Sequence, residues 1–147
     1  FKKVICIDGC GKVIKFLKNK YKSNNKVRIL RKVISNKKKK LKFHEGLYHI
    51  SKISKKGSII LSQSIDSLRM KPSVIKVHTE GEELNVLKGS IKTINLHKPL
   101  LMINIYHNSD GVIKIFNLMK NFRNNYKFYL RGYSSVGTNY VLYCVPR

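Results

Sequence analysis

The apolar residues of this chain come in short β-branched runs separated by stretches of helical periodicity. No other feature restricts the fold class as much. "VICID" (Val4 to Asp8) reads as a buried strand bounded by Gly9, and Lys12 to Tyr21 as a helix with Val13, Phe16 and Leu17 on one face. After the turn "SNNK", "VRILRKVI" reads as a second strand, and "LKFHEG" and "GSIILSQS" as a further strand pair. The second half is more regular. "SVIKVH" is a strand, and "EGEELNVLKGSIKTINLH" is helical, with Leu84, Leu87, Ile91 and Ile94 near helical spacing. "PLLMINIYH" is a strand opened by Pro99. "GVIKIFNLMKNF" is a helix with Ile113, Phe116 and Leu118 facing inward, and "YKFYLRGY" and "YVLYCVP" are two closing strands. The alternation predicts one α/β domain over residues 1–147, its sheet mainly parallel with a C-terminal antiparallel hairpin.

Hydrophobic residues make up 42% of the 147, enough to exclude wholesale disorder. The net charge of +24 favours polyanionic partners. It has a second source: alanine is absent while Lys, Asn, Ile and Tyr are abundant, as AT-rich coding produces. The run Lys37 to Lys40 reads as a hydrated basic loop. Cys6, Cys10 and Cys144 form neither a disulfide framework nor a zinc ligand set, so the sequence assigns no metal site, and reduced thiols point to the cytoplasm. No apolar run reaches the length of a membrane span, and no signal-peptide pattern opens the chain.

Acidic residues number only seven, and Glu80, Glu82 and Glu83 fall together in "HTEGEE". This segment follows a strand and opens a helix, where open α/β sheets place their ligand contacts. The same residues suit helix-start chemistry, with Thr79 as cap and the carboxylates favoured by the helix dipole.

"VIKVHTEGEELNVLKGSIKTI" resembles the signature segment of the FkbM-type methyltransferases, I-K-I-D-V-E-G-x-E-x-x-V-L-K-G. Ile75, Lys76, Glu80, Gly81, Glu83, Val86, Leu87, Lys88 and Gly89 match it. "SIDSLRMKPSVIK" is similar to the family's preceding L-D-D-L segment through Asp66 and Leu68, and "KPLLMINIYH" and the two final strands resemble its closing strands. The resemblance implies a Rossmann-like sheet and S-adenosylmethionine-dependent methylation of a hydroxyl on a sugar, glycan or related small metabolite. It implies no specific nucleic-acid partner. A non-catalytic module of the same fold, holding RNA or an anionic glycan on its basic surface, is the alternative. The sequence carries no RRM-like aromatic signature, KH-type G-x-x-G or zinc ribbon to support it.

"VICIDGCGK" then has two readings. It is either the family's first strand with its glycine-rich turn, or the second strand, whose terminal acid holds the cofactor ribose. The spacing to the acidic turn and the likeness of "NNKVRILRKVISNKKKKLKF" to the segment after the family's second strand favour the latter. The resemblance thus assigns Asp8, Glu80 and Gly81 to cofactor binding, and His78 and His107, each at the end of a strand, to proton transfer. His78 stands where the family has Asp. The first strand and its glycine-rich turn are absent, so a C-terminal portion or decayed copy, inactive by itself, is expected.

Overall fold

The computed structural model describes residues 2–46, 51–134 and 139–147. Strand β1 (Val4–Asp8) leads through helix α1 (Gly11–Lys20) to β2 (Val27–Arg31), and the two strands pair in parallel from Val4 opposite Val27 to Asp8 opposite Arg31. The backbone N–H of Lys32 still donates to the Asp8 carbonyl. The chain then leaves the pair, and β3 (Val33–Ile34) joins a different sheet, ordered β3-β6-β4-β5. In that sheet β4 (Lys40–His44) runs antiparallel to both β5 (Lys52–Ile53) and β6 (Ser58–Gln63), while β3 and β6 are parallel. "VRILRKVI" is therefore two strands, not one.

The second half forms a sheet ordered β7-β8-β10-β9. Strand β7 (Val74–Val77) is parallel to β8 (Leu100–Asn104), and β10 (Tyr140–Pro146) runs antiparallel to both β8 and β9 (Tyr126–Gly132). The C-terminal hairpin is as expected. The sheets are not mainly parallel: among the described residues, parallel pairing is confined to β1 with β2, β3 with β6, and β7 with β8. The departure has a local cause. The segment between β3 and β6 folds back on itself as hairpins, which short connections allow only to antiparallel strands.

Between β7 and β8 the chain forms α2 (Glu83–Lys88) and α3 (Ile91–His97), a broken helix where the periodicity suggested a continuous one. Gly89 sits at the break. A Cβ there would lie 2.4 Å from the Ser35 carbonyl oxygen, so only glycine lets the helix end approach β3 this closely. Asp66 then caps the new start: its carboxylate accepts from the Lys92 and Thr93 N–H groups and the Thr93 hydroxyl.

Leu101 and Ile103 of β8 are fully buried beneath Leu87, Ile94 and, from α4 (Gly111–Lys120), Ile115 and Met119. The inward face of α4 is thus Ile115 and Met119. Ile113 and Phe116, expected inside, are 65% and 44% exposed. In α1 the buried residue is Ile14, while Phe16 is exposed. Both helices carry more apolar residues than one face holds, so the sequence pattern fits more than one rotation. Among the described residues no strand pairs with the free edge of β1 or of β7.

Candidate functional site

The carboxyl ends of β1 and β7 border a single cleft of about 710 Å³. Asp8, Gly9 and Cys10 line one side and His78, Thr79, Glu80 and Glu82 the other, with apolar wall from Ile7, Val13, Phe16 and Val33. Asp8 accepts a hydrogen bond from the Cys10 N–H at 2.7 Å, which tightens the turn into α1. Beside it Glu45 accepts from the Gly11 N–H at 3.1 Å and pairs with Arg31 at 2.9 Å.

The β7–α2 turn is built around Glu83. Its side chain is 2% exposed, and its carboxylate accepts from the Thr79 N–H at 2.8 Å and the Gly81 N–H at 3.1 Å. A buried carboxylate that accepts from two backbone N–H groups fixes the loop. Glu80 and Gly81 both take positive φ, 50° and 100°. Asn108 donates to the Gly81 carbonyl at 2.9 Å and ties this turn to the one after β8. Thr79 is not the helix cap: its hydroxyl oxygen is buried and finds no partner among the described residues. Glu83, reaching back to the two N–H groups, does that work.

A third donor to Glu83 is His107, with Nδ1 2.8 Å from Oε1. Its Nε2 then points at Glu80, 3.4 Å from Oε1, and His78 Nε2 lies the same 3.4 Å from that oxygen. The two imidazoles stack with centroids 5.0 Å apart. Burial pushes His78 below its ordinary value and the neighbouring His107 adds to this, while Glu80 opposes both.

The structure therefore gathers His78, Glu80 and His107 into one cluster and sets Asp8 across the cleft. Of these, His78, Glu80 and Asp8 line the cleft, whereas His107 stands behind His78 and Gly81 shapes the turn. Glu83 is the residue that the site assignment from sequence passed over. The signal was present in the second acid of E-G-x-E, but nothing in the chain order says that His107 meets it.

The solved structure of methyltransferase FkbM from Methylobacillus flagellatus KT superposes with a TM-score of 0.78, at 24% identity and over 98% of this chain. The chain has the fold of an FkbM methyltransferase. It spans 36% of that protein's length, just over a third. Neither a protein-family model nor a curated protein matches the sequence. Within the FkbM-like fold, the cleft lies at the carboxyl ends of parallel strands, the position where open α/β sheets take their ligands. No helix among the described residues is long and apolar enough to cross a membrane.

Proposed function

We propose that this chain forms the ribose-binding and acceptor side of an S-adenosylmethionine-dependent O-methyltransferase acting on a sugar, glycan or small-metabolite hydroxyl. The observation that carries this is the meeting of Asp8 and the His78–Glu80 turn, distant in sequence, across one cleft. The cleft volume is that of a cofactor site. The donor set also fits. A carboxylate at the end of β1 suits a ribose diol, and the exposed ring of Phe16 on the cleft wall offers an apolar face to a purine.

S-adenosylmethionine supplies, when bound, a methyl group already activated for displacement. The chain's residues handle the proton. His78 faces the cleft, and its lowered pKa leaves the imidazole neutral at pH 7, so Nε2 is ready to accept the acceptor's hydroxyl proton. Glu80 stabilises the imidazolium that results. His107, fixed by Glu83, stacks against His78 and holds its orientation.

The test is calorimetric titration of the chain and of D8A with S-adenosylhomocysteine. Saturable binding that weakens by about tenfold or more in D8A, the loss of a charge-assisted hydrogen bond, supports the reading. Equal binding by both proteins removes Asp8 from the site, and no binding by either refutes the reading for this chain.

A further inference from the structure

Three atoms able to ligate a metal converge at the carboxyl ends of β7 and β8. His78 Nε2, Glu80 Oε1 and His107 Nε2 all lie within 4.8 Å of one another. His107 Nδ1 lies 2.8 Å from Glu83 Oε1, which leaves Nε2, 3.4 Å from Glu80 Oε1, as the ring atom facing the cluster. Donor atoms about 2.0–2.1 Å from a tetrahedral zinc ion lie about 3.3–3.4 Å apart, which is the spacing of each imidazole to Glu80. His78 is 43% exposed, so the cluster opens to the cleft on its side.

The hydrogen bond behind the cluster points the same way. Histidines that bind metals donate their other ring N–H to a carboxylate or carbonyl, which sets the tautomer and raises ligand basicity. Glu83, buried and held by two backbone N–H groups, does this for His107. The donor set has two imidazoles, one carboxylate and open space on the cleft side. It suits borderline divalent ions of the first transition row in place of Mg²⁺ or Ca²⁺, which prefer oxygen donors.

We infer that His78, Glu80 and His107 bind one divalent transition-metal ion of the zinc type, with Glu83 as the positioning residue behind His107. The site shares residues with the proposed methyltransferase centre and does not depend on methyl transfer. Were both to hold, His78 Nε2 would be taken up by the ion, and the ion would supply Lewis-acid chemistry on the cleft side.

The test is titration of the metal-free chain with Zn²⁺ by calorimetry and with Co²⁺ by visible absorption, without cofactor or acceptor. The expected result is one ion per chain and a cobalt spectrum free of thiolate charge transfer. H78A and E80Q, both at partly exposed positions, should lower the affinity by more than tenfold, and E83Q by about 10–100-fold. Circular dichroism of each variant separates loss of ligand from loss of fold. No saturable binding by the parent chain, thiolate bands in the cobalt spectrum, or unchanged affinity in folded H78A and E80Q would overturn the inference. S-adenosylhomocysteine binding without metal binding would overturn the metal site alone, and the converse would overturn the methyltransferase reading alone.

Discussion

Replacing Glu83 with Gln keeps the shape of the side chain and removes its charge. Three nitrogens now meet the carboxylate: the N–H groups of Thr79 and Gly81, and Nδ1 of His107. Hydrogen bonds to a charged partner contribute about 1.5–3 kcal/mol each, and neutral ones about 0.5–1.5 kcal/mol. In E83Q two of the bonds drop to neutral strength, a loss of about 1 kcal/mol apiece. The third donor faces the new NH₂ group and is left unpaired, at about 1–3 kcal/mol. The sum is about 3–5 kcal/mol, a large share of the roughly 5–15 kcal/mol that holds a typical domain folded. Urea unfolding in the presence of chelator measures it as a fall in midpoint at unchanged slope. The ¹⁵N shifts of His107 in the parent protein supply the second readout and should show the proton on Nδ1. A loss below about 1 kcal/mol, or a proton on Nε2 in the parent, would refute the reasoning that Glu83 organises this turn.

Other predictions follow from the same contacts. G89A should destabilise the chain although alanine favours helices by about 1 kcal/mol, because its Cβ would meet the Ser35 carbonyl; thermal unfolding gives the sign. L101A, at a fully buried position in β8, should cost about 2–5 kcal/mol by denaturant unfolding. Tyr126 donates to the Pro99 carbonyl, and burial raises its hydroxyl from 10.0 to about 12. Its contribution is complete below pH 10 and falls away as the pH rises from 10 toward 12, where the unfolded tyrosine ionises first, so Y126F should flatten this part of the alkaline stability profile. Cys144 is fully buried and its thiol is pushed up to about 12 by burial, so thiol reagents should leave it unmodified until the chain unfolds.

Period and punctuation made most of the elements visible. β1, β7, β8 and the closing hairpin lie where the β-branched runs place them, because each run is short, apolar and bounded by Gly, Pro or polar turns. The division of "VRILRKVI" was hidden, since local pattern does not say which neighbour a strand pairs with. The break at Gly89 was hidden for a related reason. It comes from the approach of Ser35, far away in the chain, and from a cap by Asp66 on another turn. In α4 the inward pair Ile115 and Met119 competed with Ile113 and Phe116, and tertiary packing made the choice.

The site divides along the same line. Glu80, Gly81 and Glu83 stand in one motif, yet only Glu80 and Gly81 were taken from it as site residues. The chain order also set Asp8 and His78 at the carboxyl ends of strands. That His107 would stack on His78 and bond Glu83 depends on how β8 lies beside β7, which only the fold shows.

The most direct measurement is a ¹H–¹⁵N NMR titration of the chain with S-adenosylhomocysteine. Saturable shifts should concentrate in the amides of Asp8, Gly9, Cys10, His78, Thr79 and Glu80, the residues on both sides of the cleft. Saturable shifts elsewhere that leave these residues still, or no shifts at millimolar ligand, would contradict it.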